Sequence, residues 1–112
     1  MAEAPERLGT SGSLAGPTNI VSKTTGWAII SSITICNTGS SAYTYTLSTS
    51  NTSATHDANA YIAYGATIAA NDTVLLTGSF VLNVSGASPA QYLVGTVSNT
   101  LVRITANGLT GP

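Results

Sequence analysis

From Thr24 through Thr55, and again from Thr73 through Val102, the chain contains no Lys, Arg, Asp or Glu. Within these runs apolar residues alternate with hydroxyl-bearing ones, most clearly in "GWAIISSITICNTGSSAYTYTLS", residues 26–48. Alternation with period two places successive side chains on opposite faces of a β-strand. β-branched and aromatic residues at this density favour a pleated surface. No segment sustains a helical period, so an all-β fold is expected. At 112 residues the chain has the size of one ordinary domain.

The stretch predicts a hairpin. Its first strand puts Trp27, Ile29, Ile33 and Ile35 on one face and Ala28, Ile30, Ser32, Thr34 and Cys36 on the other. Both faces are semi-apolar, which predicts a central strand covered on each side. "NTGSS" supplies the turn, with Asn37 and Gly39 suited to positive φ. "AYTYTLS" then returns. Further strands are read in "TNIVSK", "AYIAYGATI", "VLLTGSFVLNV" (one strand, or two broken at Gly78), "QYLVGTVS" and "LVRITANGL". Seven or eight strands spaced by Gly, Asn, Ser and Pro turns predict a single antiparallel β-sandwich, jelly-roll-like, over residues 18–112. Residues 1–17, rich in Gly, Pro and small polar residues, read as an extended N-terminal arm whose anchoring side chains are Arg7 and Leu8, with Leu14 beyond them. The expected core is Trp27, Ile29, Ile33, Ile35, Ile62, Leu75, Leu82, Val94 and Ile104.

Charged residues make up 6% of the chain against about 25% in ordinary domains. Hydroxyls take their place, 18 Thr and 14 Ser. The positive mean hydropathy of +0.27 is no membrane signal, because the most apolar run is broken by Ser31, Ser32, Thr34 and Asn37. Glu3 and Glu6 stand where a secretory leader carries basic residues, so the chain is expected to be made in a cytoplasm. Three basic residues, Arg7, Lys23 and Arg103, are far apart in sequence and give no electrostatic footprint for nucleic acid. The single cysteine, Cys36, closes no intramolecular disulfide.

Chemistry-bearing residues in the body are few. His56, Asp57, Asp72 and Cys36 are the candidates, and the adjacent His56 and Asp57 are read as a polar loop tip, since neighbours in a loop fix no catalytic geometry. Neither a cofactor nor a metal set is expected. Asn51, Asn71 and Asn83 head N-x-S/T triplets, which this much Ser and Thr produces by chance. Trp27, Tyr43, Tyr45, Tyr61, Tyr64 and Tyr92 suit a sugar-stacking platform or, better, core and interface packing. Thr44 and Thr46 form a lone Thr-x-Thr element, not repeated on other strands as an ice-binding face requires.

An uncharged surface near zero net charge protects a monomer poorly against association. Ser, Thr and Asn at a subunit contact cost less desolvation than charges and lose less rotamer entropy than Lys or Glu. The pattern suits a subunit of a fixed assembly.

The opening "MAEAPERLGT", the segment "AIISSITICNTGSSAYTYTLS" and above all "YIAYGATIAANDTVLLT" look like a widespread family of small tailed-bacteriophage virion proteins. Its members share an arm ending in an Arg-Leu pair, an "-ISSI-ICN-" strand and an "-IAY---I-ANDT-" element. The match covers residues 1–77 in outline, with Ser22 and Lys23 in place of a proline after the first strand. The resemblance implies a non-enzymatic virion protein, most simply a capsid decoration (cement) protein. It would be a trimer that clamps neighbouring major capsid protein subunits, with Arg7 and Leu8 reaching to a neighbour. A tail, baseplate or fibre subunit is the alternative, and a host-glycan adsorption module a third reading.

Overall fold

A computed structural model of the chain describes residues 6–11, 17–84 and 90–111. The alternating segments form eight strands: β1 (Glu6–Ser11), β2 (Thr18–Lys23), β3 (Trp27–Asn37), β4 (Tyr43–Ser50), β5 (Tyr61–Ile68), β6 (Thr73–Asn83), β7 (Gln91–Val97) and β8 (Val102–Gly111). They build two antiparallel four-stranded sheets in the orders β1-β8-β3-β6 and β2-β7-β4-β5. Within each sheet the outermost strands of the chain pair inward: β1 with β8, β2 with β7, β3 with β6 and β4 with β5. This is a long antiparallel hairpin wound around a barrel-like core, the jelly-roll arrangement of two Greek keys.

The expected hairpin over residues 26–48 is corrected by this winding. β3 pairs with β6 and β8, and β4 with β5 and β7, so the two lie in different sheets. "NTGSS" is a sheet-to-sheet crossing. Alternation reports that a strand exists and which side chains share a face, but it carries no information about the partner.

The core assignment is corrected in the same strand. The pairing of β3 with both neighbours shifts between Ile30 and Ser32, a β-bulge that inserts one residue and swaps faces beyond it. Ala28 and Ile30 therefore join Ile33 and Ile35 on the inner face, and all four are fully buried. Trp27 and Ile29 fall on the outer face, half covered. Leu75, expected inside, pairs with Thr34 on that outer face and is 61% exposed; Ile62 only flanks the core. Ile33, Ile35, Leu82 and Ile104 are in the core as expected, whereas Val94 is fully buried but pairs with Ser48 outside the core cluster. Leu47, Leu93, Val97 and Val102 complete the inner layer, where each large aliphatic side chain contributes about 1.5–3 kcal/mol of burial.

Part of the expected N-terminal arm, Glu6–Ser11, is a sheet strand, paired along β8 from Gly108 to Ile104 with a bulge between Arg7 and Gly9. Leu8 packs against the edge of the core, and Arg7 is exposed. The remainder of the expected arm, residues 1–5 and 12–16, lies outside the described residues. On the neighbouring edge a Cβ at Gly9 would collide with the backbone carbonyl of Ile20. Glycine at this position lets β1 and β2 touch and closes one side of the sandwich.

Turns gather at the two ends. The β3–β4, β5–β6 and β7–β8 connections meet through Asn71 N donating to Gly39 O (3.1 Å) and Thr38 N to Leu101 O (3.0 Å). At the opposite end Val84 N donates to Gly26 O (2.7 Å).

Candidate functional site

His56 is the first residue to weigh, because it is the single histidine and sits beside hydroxyls. The ten-residue connection between β4 and β5 folds back over the outer face of its own sheet. His56 spans two strands there, with Nδ1 2.7 Å from Ser48 Oγ on β4 and Nε2 2.7 Å from Thr96 Oγ1 on β7. A neutral imidazole has one donor and one acceptor nitrogen, so one hydroxyl donates to the ring and the other accepts from it. Ser48 is fully buried, which closes its hydroxyl to any attacking or attacked group. The Asp57 carboxylate does not orient the ring; its Oδ1 accepts from Asn59 N at 2.9 Å. Burial lowers the His56 pKa from its ordinary value. Asn19 on β2 pins the same loop, accepting from Ala54 N (2.7 Å) and donating to Ser53 Oγ (2.8 Å). The constellation is a latch that holds a loop over a sheet.

Asp72 likewise serves a turn, its Oδ1 accepting from Thr73 N at 2.8 Å. Cys36, half-buried on the outer face of β3, accepts a long contact (3.6 Å) from Thr73 Oγ1. Among the described residues no group of three or more His, Cys, Asp or Glu side chains could hold a metal ion. Among the described residues no helix is long and apolar enough to cross a membrane.

Sequence reasoning assigned Asn37 to a positive-φ turn, but the structure gives it a different task. Asn37 ends β3 with 1% exposure, and neither it nor Gly39 has positive φ. Its Nδ2 donates to the carbonyls of Ser41 (2.8 Å), Ala69 (3.1 Å) and Ile68 (3.3 Å), while Oδ1 accepts from Gly39 N at 2.9 Å. Its own backbone N–H donates to Asp72 O at 2.9 Å. Gly39 is needed for room, since a Cβ there would press on Tyr43 and Leu101. "ICNTG" and "IAANDT" are thus two halves of one clasp, with Asn71 taking the positive φ (57°) that the second turn needs.

The aromatic residues do not form one platform. Tyr45 is in the core, whereas Trp27 lies over Gly111 on the opposite sheet. Tyr61 and Tyr64 meet edge to face, centroids 4.7 Å apart, with His56 5.8 Å from Tyr61.

The open side of the sandwich is the surface that remains. β5 and β6 are the last strands of their sheets and leave between them a cleft of about 650 Å³. Ile62, Leu75, Leu76, Phe80 and Val81 supply most of its apolar lining. Of the five exposed large hydrophobic residues among the described residues, Tyr61, Tyr64, Leu75 and Val81 stand on these two strands. Neither strand contains a charged residue or a proline. The charge-free run from Thr73 was the sequence signal for this surface, and the placement of Leu75 in the core hid it. Arg7 and Leu8 lie on β1, in the other edge of the β6-containing sheet, and take no part in the cleft.

No protein-family model matches the chain, and no curated protein and no solved structure shows significant similarity to it.

Proposed function

We propose that this chain is a non-enzymatic structural subunit of a tailed-phage virion, a decoration protein that sits on the shell of major capsid protein. The observation that carries the reading is a jelly roll whose strands β3 to β7 contain no charged residue. Such a surface loses little desolvation energy when neighbours cover it. Jelly rolls recur in viral capsid domains and also in lectins and cupins, so the fold supports the reading by analogy and the surface chemistry gives it direction. The motifs that carry the resemblance also have a shared physical purpose here, since the Asn37 clasp needs both. Polar side chains near the loops are engaged in holding turns, which suits a rigid building block.

Co-sedimentation of the purified chain with capsids of the phage that encodes it tests the reading. Saturable binding at a fixed ratio to the major capsid protein is the expected result. Gold-labelled antibody confined to the tail would favour the tail-subunit alternative. A protein missing from the virion altogether would overturn both.

A further inference from the structure

We propose that β6 is a self-pairing edge, which joins antiparallel to β6 of a second copy of this chain across a twofold axis at Gly78. The inference goes beyond the virion reading and does not depend on it. A twofold contact requires self-complementarity, with residue i meeting j while j meets i. β6 has this property in its sequence. "TVLLTGSFVLN" reads outward from Gly78 in both directions as a hydroxyl residue, three apolar residues and a polar residue. Antiparallel pairing about that centre sets Thr77 against Ser79, Leu76 against Phe80, Leu75 against Val81 and Val74 against Leu82 of the partner.

Burial follows the same symmetry. Leu75 and Val81 share the outer face, where β3 places Thr34 and Ile29 beside them, and are 61% and 53% exposed. Leu76 and Phe80 both point inward, half-buried against the core. Each exposed apolar side chain would therefore meet an exposed apolar partner on the same face, at the separation that makes cross-strand pairs stabilising. The glycine at the axis brings no side chain to the crossing.

Charge also selects a second copy. The occupant must cover an apolar strand that offers no ion pair, and β6 itself meets that description. β6 has one strand neighbour, β3, and between its ends, where Thr73 N donates to Asp72 Oδ1 and Asn83 N to Gln91 Oε1, its other side is available for strand addition. The added strand would continue the sheet to eight strands and cover the mouth of the cleft, to which Leu75, Leu76, Thr77, Phe80 and Val81 contribute. A twofold contact of this kind would give a dimer where the family resemblance implies a trimer.

Light scattering on the full chain over a range of concentrations tests the proposal, together with two substituted forms. The expected mass is that of two chains. Val81→Lys should raise the dimer dissociation constant by about 100-fold, because each substitution enters a twofold contact twice and each tenfold is about 1.4 kcal/mol. Its unfolding midpoint as a monomer should be unchanged. Under oxidation, Leu75→Cys/Val81→Cys in a Cys36→Ser background should form a covalent dimer. Leu75→Cys alone in that background should not, since the two copies of position 75 would lie six residues apart, about 20 Å. A monomer at every concentration, a mass of three chains, or cross-linking through Leu75→Cys alone would overturn the proposal.

Discussion

Along the side where β1 and β2 meet, Arg7 and Lys23 punctuate the strands, Pro17 precedes β2, and bulges interrupt both ladders, between Arg7 and Gly9 and between Asn19 and Val21. Along the side where β5 and β6 meet there is no charge and no proline on either strand, and Leu75, Val81 and Tyr64 face water. Charges, prolines and bulges are the devices by which sheet edges avoid unwanted partners. One edge has three of them and is further closed by contact between its strands. The other has only ladder shifts, in β4–β5 and at Gly78–Ser79 of β6, and carries neither charge nor proline. Since both edges belong to the same 112 residues, low charge overall does not explain the contrast. The proposed β6 pairing would use the side on which charge and proline are missing.

At one end of this side the β5–β6 turn is held to the end of β3 by Asn37. Asn37→Ala would leave the carbonyls of Ser41, Ile68 and Ala69 and the N–H of Gly39 without their partner around a side chain that is itself 1% exposed. The expected cost is about 3 kcal/mol, read as a lower urea midpoint. A cost below about 1 kcal/mol would mean that water replaces the amide and that the clasp does not hold the β5–β6 turn. The guarded side depends on backbone proximity. Gly9→Val there would drive a side chain into the Ile20 carbonyl and should cost about 2 kcal/mol, measured in the same way.

Much of this contrast was legible in the sequence, but unevenly. Seven strands follow from alternation, from "TNIVSK" through "LVRITANGL", because a half-buried pleated surface imposes a period of two. The eighth, β1, was hidden by its composition: "ERLGTS" has one aliphatic residue and is held by backbone pairing to β8. Strand partners were not legible, since the crossing after Asn37 and a tight hairpin use the same turn residues. Nor was the bulge at Ser31, which exchanged Ala28 and Ile30 for Trp27 and Ile29 in the core. The role of Asn37 depends on carbonyls more than thirty residues away in sequence, and the His56 latch on Thr96, forty away.

Two leucines sharpen the comparison at smaller scale. Leu8 on the guarded edge packs against the core, so Leu8→Ala should cost about 1–2 kcal/mol. Leu75 on the bare edge should lose no more than about 0.5 kcal/mol on conversion to Ala, when unfolding is followed in solutions too dilute for association. Equal losses at the two positions would show that Leu75 already packs within its own chain, and the case for a bare edge would fall with it.

The smallest effect concerns the loop that delivers the chain to β5. His56 is held between Ser48 and Thr96, and burial lowers its pKa below the usual 6.5. A histidine with a depressed folded pKa binds its proton more weakly in the folded state than in the unfolded one. Stability is then fully present above the unfolded pKa, falls as pH drops below about 6.5, and levels off below the folded value. Asp57 is the one charged group beside it in the loop, and its carboxylate is turned to Asn59 N. The ring of Tyr61 lies on another side. Neither supplies a counter-charge in contact with the imidazole. The unfolding midpoint should therefore decline modestly between pH 7.5 and pH 5, and His56→Gln should flatten that decline while lowering stability at pH 7.5. An undiminished slope in His56→Gln would assign the pH dependence to the carboxylates and leave the latch a purely neutral contact. Loss of the slope would tie the placement of β5, and with it one wall of the open cleft, to a single half-buried ring.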